Sequence, residues 1–155
     1  MIIGIDPGPT ESALVTYGDG PKWNVIGSND YMRQILYEPQ LRDRDAVLAI
    51  EMIASYGMPV GREVFETCVW IGRFVECWPL PWRYVYRKDV KLHLCGSLRA
   101  KDANVRQAML DRFPATGGGK VPQIGTKKQP GPLYGFKSHM WSALAVAITA
   151  AEVTA

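Results

Sequence analysis

The chain has 155 residues, 47% hydrophobic and 21% charged, which is the size and usage of one globular domain and excludes a disordered, collagen-like or coiled-coil chain. No run approaches the ~18 consecutive apolar residues of a membrane span. The net charge of +3 conceals a division: residues 1–80 hold six Lys/Arg against eleven Asp/Glu, and residues 81–155 hold twelve against four, so the basic half predicts a polyanionic partner.

In chain order, Ile2 to Asp6 is an apolar run broken by Asp-Pro-Gly-Pro, a strand and its turn. Ala13 to Tyr17 and Trp23 to Ile26 flank Gly18-Asp19-Gly20-Pro21 and complete an antiparallel meander. Asp30 to Leu36 is a short helix. Ala46 to Ile50 is a continuous apolar run ending at Glu51, the pattern of a parallel strand buried on both faces. Ser55 to Gly61 is a loop. Arg62 to Trp78 is a helix with Val64, Phe65, Cys68, Ile71 and Val75 as its inner stripe, stopped by Pro79 and Pro81. Trp82 to Tyr86 is a strand and Lys88 to Leu94 a helix closed by Gly96. Ala100 to Phe113 is an amphipathic helix that turns Val105, Met109, Leu110 and Phe113 inward. Residues 114–135 hold six glycines and four prolines, a loop long enough to imply function or motion. Ser138 caps a last helix, Met140 to Val153. Strands that alternate with helices after a meander define a single α/β domain over residues 1–155. Cys68, Cys77 and Cys95 are odd in number and lack CxxC spacing, and the start MIIGIDPG is not signal-like. Both features predict reduced thiols and a cytoplasmic location.

Asp6 and Glu51 each sit where an apolar strand breaks into a loop. Ligands of open α/β sheets bind beyond the carboxyl ends of strands. With the first and fourth strands adjacent, the two acids face one another. A divalent cation, Mg²⁺ or Mn²⁺, is the simplest agent to offset their repulsion. Taken singly, Asp6 is a turn former and Glu51 an exposed strand end; the pair points to a site.

The segments IIGIDPG, AIE, RKDVK, AKDANVRQAMLDRF and SHMWSALAVAITA span nearly the whole chain. In order and spacing they resemble RuvC-type Holliday junction resolvases, and among these the phage and prophage RuvC-like branch. GIDPG alone also opens sugar kinases and actin-like ATPases, but those need two lobes around a nucleotide, so no nucleotide cofactor is expected. The resemblance implies a ribonuclease-H-like fold, a mixed five-stranded sheet with a three-strand antiparallel meander and further parallel strands, flanked by helices. It implies a two-metal nuclease in which Asp6 bridges the ions, Glu51 holds one, and His139 holds the other or orients the attacking water. The family's last helix begins with an acid or a His and carries an Asp three residues on; here these positions are His139 and Ser142, on one helix face. Because Ser142 is no carboxylate, one ion is expected to bind weakly, with water, Glu63 or Glu66 in its place. The imidazole shifts preference towards Mn²⁺, and a ligating His must be neutral, so activity should rise with pH through roughly 6–7. Lys91 matches a lysine near the scissile phosphate and completes the expected catalytic set of Asp6, Glu51 and His139. His93 reads as structural.

Arg87, Lys88, Lys91, Arg99, Lys101 and Arg106, with Lys120, Lys127 and Lys128 of the long loop, form the expected DNA-binding surface. Resolvases place a wedge aromatic three residues past the Glu. That position is Ala54 here, and Tyr56 or Met58 is the substitute at hand. The helix 62–78 has further apolar residues, Val69, Trp70, Phe74 and Trp78, and the resemblance implies that it forms a homodimer. The function so read is a metal-dependent endonuclease hydrolysing phosphodiester bonds of Holliday junctions or other branched DNA. Two alternatives stand beside it: a structured-RNA nuclease of the pre-16S ribosomal RNA processing type, and a junction-binding protein that no longer cuts.

Overall fold

The computed structural model describes residues 1–153. Five strands form one sheet: β1 (Ile2–Asp6), β2 (Glu11–Tyr17), β3 (Pro21–Ser28), β4 (Val47–Met52) and β5 (Trp82–Tyr86), in the order β3-β2-β1-β4-β5. The β3-β2-β1 meander is antiparallel, whereas β4 and β5 run parallel to β1. Helices α1 (Asn29–Ile35) and α2 (Arg62–Cys77) cover one face; α3 (Arg87–Cys95), α4 (Asp102–Leu110) and α5 (Met140–Glu152) cover the other. This is the α/β architecture expected from the sequence. No helix among the described residues is long and apolar enough to cross a membrane.

Strand alternation divides the core between the two faces. Ile3, Ile5, Leu48 and Ile50 pack towards α1 and α2, while Ala13, Val15, Ala49 and Val85 meet the α5 side. By the same alternation Asp6 and Glu51 belong to the α5 side, one residue beyond the Ile5–Ile50 pair of the β1–β4 register. Helix α5 is buried over most of its length, which explains its nearly unbroken apolar sequence. It approaches β1 closely because Gly4 has no side chain. A Cβ there would lie 2.3 Å from the Ala143 carbonyl oxygen and 2.8 Å from the Ala147 Cβ.

Several local expectations are corrected. β2 and β3 are longer than their apolar cores, because ladder pairing runs from Glu11–Ser28 to Tyr17–Pro21. Helix α4 is shorter than expected, with Ala100 and Phe113 in the flanking turns. The inner stripe of α2 is Thr67, Ile71 and Phe74, continued by Trp78. Phe74 and Trp78 are thus core residues, whereas Phe65 and Val69 are 63% and 54% exposed. The 67-71-74-78 spacing keeps to one helical face, and Phe65 falls off it. Ser138 does not cap α5: it is left-handed at φ +48, and His139 occupies the N-cap position. The long loop is closed by its own backbone. Gly117 N–H donates to the Pro122 carbonyl at 2.8 Å and Gly131 N–H to that of Ile124 at 2.9 Å. Gly125, at φ +77, has no space for a Cβ, which would lie 2.3 Å from Gly131 N. The loop ends by burying Leu133 and Phe136.

Candidate active site

Asp6 ends β1, and the turn beyond it is held by a buried polar network. Ser12 Oγ donates to Asn29 Oδ1 at 2.6 Å, Asn29 Nδ2 donates to the Gly8 carbonyl at 2.9 Å, and Gly8 N–H donates to Ser12 Oγ at 3.2 Å. Paired networks of this kind fix one backbone geometry. Neither side chain stands out in the sequence, where the one signal is a serine inside the apolar run SALVTY.

The structure brings Asp6, Glu51 and His139 together. His139 Nδ1 lies 2.9 Å from Asp6 Oδ2, across 133 residues of chain. Asp6 is largely buried, while His139 is open to solvent. Burial pushes the Glu51 carboxyl up from 4.5 to about 7; the adjacent Asp6 carboxylate adds to this and Arg87 opposes it. Burial also raises Asp6, against the pull of His139 and Arg87. Two carboxyl groups this close do not both ionise readily unless a cation offsets them.

A cleft of about 420 Å³ opens beside Asp6 and His139, lined also by Glu11, Glu63 and Thr67. Glu63 therefore faces the carboxylate cleft, as does Glu11, which the sequence does not single out. Glu66 instead pairs with Arg62 on the same helix. Ser142 lines a neighbouring cleft of about 380 Å³ with Arg87, Asp102 and Arg106, not the cleft that His139 faces. Arg106 lies 4.4 Å over the Trp141 ring. A third depression, of about 250 Å³, gathers Tyr56, Arg87, Lys88 and Lys91. Tyr56 is 66% exposed and left-handed at φ +51, so its ring stands out from the loop after β4. Arg87 lines both of these depressions, and its Nη2 donates to Asp102 Oδ1. Arg99 and Lys101 are exposed between α3 and α4, and Lys120, Lys127 and Lys128 are exposed along the long loop, outside the three clefts. His93 stands apart, bonded to Glu152 at 2.6 Å.

Two carboxylates and an imidazole are suitable donors for one divalent cation of the Mg²⁺ or Mn²⁺ type. Among the described residues, no three His, Cys, Asp or Glu side chains form a ready-made cage. His139 and Asp6 are bonded to each other, so a cation at this place would have to separate them. The donor chemistry fits one ion and, among the described residues, offers no comparable set for a second.

The chain has the RuvC fold, a ribonuclease-H-like architecture. The RuvC structure of Thermus thermophilus matches it with a TM-score of 0.68 at 18% identity, over 97% of this chain and 92% of that one. T. thermophilus RuvC in complex with a Holliday junction substrate matches with a TM-score of 0.68 at 17% identity, over 97% and 91%. No protein-family model matches the chain, and no curated protein matches it in sequence.

Proposed function

We propose that this chain is a divalent-cation-dependent endonuclease that cuts Holliday junctions or other branched DNA. The supporting observation is the pair of largely buried carboxyl groups at adjacent strand ends, with His139 bonded to one of them, in a fold shared with RuvC. The RuvC of T. thermophilus binds a Holliday junction substrate. The motifs of this chain resemble the phage and prophage branch of that family.

Asp6 and Glu51 would hold the cation, with His139 as third ligand or as the group that orients the attacking water. The resemblance implies a second, weaker ion; Glu63 and Glu11 line the same cleft but form no donor set like that of Asp6, Glu51 and His139. Bound cations supply charge relief on the phosphate and lower the pKa of water. In the reaction the hydroxyl part of water bonds to phosphorus, the bond from phosphorus to the 3′-oxygen breaks, and the remaining proton goes to that departing oxygen. Lys91 and Lys88 contact phosphates beside the scissile one. Tyr56 stacks on a base exposed at the branch, a contact worth ~1–3 kcal/mol. The exposed Phe65 and Val69 of α2 form the contact of a two-fold dimer, which gives two sites for paired nicks.

The test is incubation with a synthetic four-way junction and a linear duplex, in Mg²⁺ and in Mn²⁺. Cleavage of the junction alone, better in Mn²⁺ and reduced about 100-fold or more in Glu51→Gln, is the expected result. Cleavage of structured RNA but not of the junction selects the RNA nuclease. Tight junction binding with no cutting selects the binding protein.

A further inference from the structure

No Asp or Glu stands between Asp111 and Glu152, a stretch that carries Lys120, Lys127, Lys128 and Lys137. None of these lysines forms an ion pair among the described residues. The long loop gathers three of them. Thr126 N–H donates to the Gln129 carbonyl at 3.0 Å, and Gln129 N–H donates to Thr126 Oγ1 at 3.2 Å, a turn with Lys127 and Lys128 at its centre. Gly118 N–H donates to the same Gln129 carbonyl at 2.9 Å, and a Cβ at Gly119 would lie 3.1 Å from Thr126 Cγ2. Lys120 therefore leaves the chain beside that turn.

The tip is braced from below. Three stretches of backbone cross at glycines: a Cβ at Gly117 would lie 2.6 Å from Gly125 Cα and 2.7 Å from Gly131 N. Leu133 is buried, and Phe136 packs on Trp141 with 5.6 Å between ring centroids, which ties the loop to the start of α5. The chemistry of the tip selects its partner. Thr126, Lys127, Lys128 and Gln129 are all exposed. Lys, Thr and Gln side chains bond phosphate oxygens, whereas protein interfaces deplete Lys and favour aromatic residues. The tip lies outside the three clefts around the site. A braced tip meets phosphates without first being ordered, which removes one cost of binding. We propose that the 117–131 loop is a rigid, lysine-tipped anchor for the phosphate backbone of a DNA duplex, separate from the carboxylate cleft. The choice of DNA as the phosphate source rests on the nuclease reading above.

The experiment is fluorescence anisotropy in EDTA with a labelled DNA duplex and a four-way junction, from roughly 50 to 200 mM salt. The triple variant Lys120→Gln, Lys127→Gln, Lys128→Gln should bind both about tenfold or more weakly, with a salt slope shallower by about 2–3. Gly125→Ala keeps every lysine but breaks the glycine crossing, and should weaken binding several-fold; thermal melting confirms that each variant is folded. Hydrogen exchange of the wild type reads the bracing directly: the Gly117, Gly118 and Gly131 amides should be protected before DNA is added. An unchanged slope in the triple variant, full affinity in folded Gly125→Ala, or protection that appears only with DNA overturns the proposal. So does tighter binding of polyglutamate or of an RNA duplex than of the DNA. Junction cleavage by the same wild type would then leave the nuclease reading standing. A wild type whose DNA affinity depends on the three lysines, yet which cuts no junction in Mg²⁺ or Mn²⁺, keeps the anchor and ends the nuclease reading.

Discussion

Burial raises the Glu51 carboxyl from 4.5 to about 7, so between those values the folded chain keeps a proton that the unfolded chain has released. The contribution of Glu51 to stability is therefore full below about pH 4.5 and is lost as pH rises towards 7, by a total of the order of 3 kcal/mol. Glu51→Gln removes the ionisation. The variant should be more stable than wild type at pH 8, by about 1–3 kcal/mol, with the gap closing towards pH 5. Urea denaturation at several pH values measures it, and a gap independent of pH contradicts the burial argument. A bound cation competes with the same proton, so Mn²⁺ affinity should climb through about pH 7. Asp6 and Glu51 are legible in the sequence because strand ends leave local signatures, whereas His139 enters only through the family resemblance. The place of Arg87 beside Glu51 is not legible, because it depends on which strand β5 pairs with, and no local pattern encodes that.

Among the elements, α5 positions His139 only because β1 lets it come close. Gly4→Ala would put a methyl group against the Ala143 carbonyl oxygen and Ala147. Both are backbone-near atoms of a buried helix, so the helix must move. The expected cost is about 1–3 kcal/mol, and under the proposed function junction cleavage slows as His139 is carried off Asp6. Gly72 lies inside α2, where an added methyl group would meet nothing within 4 Å, so Gly72→Ala should instead gain about 0.5–1 kcal/mol. Thermal melting of the two variants compares them, and equal effects would refute the close-contact account. Periodicity identifies every strand and helix of the core, since burial writes it into the sequence. It misjudges the face of α2, where Phe65 and Val69 are apolar yet exposed. Capping preference, not periodicity, misplaces the start of α5 at Ser138, where the backbone is left-handed.

For the whole molecule, the division of charge has a measurable consequence. Each phosphate neutralised by a lysine or arginine adds about −0.9 to the slope of log affinity against log salt for duplex DNA. Four contacts from the surface around Arg87, Lys88 and Lys91 would weaken junction binding about 100-fold between roughly 50 and 200 mM salt. Fluorescence anisotropy of a labelled junction reads this, and a slope near zero rejects the surface. Val69→Asp on the exposed side of α2 should convert the proposed dimer to monomer in analytical ultracentrifugation without lowering the melting temperature. A wild type that sediments as a monomer at all concentrations removes the dimer. Overall charge points to the partner class, but not to the clefts, which form between elements far apart in the chain.

The span of 133 residues between Asp6 and His139 also sets a timetable. At ~5–20 residues per second of synthesis, roughly 7–27 s separate the emergence of the two side chains from the ribosome. During that interval β1, β2 and β4 offer an uncovered apolar surface where α5 will dock, the kind of surface chaperones hold. A product truncated before α5 carries the two acids without the imidazole and without the helix that covers their side of the sheet, so an interrupted translation yields a sticky fragment with an incomplete site.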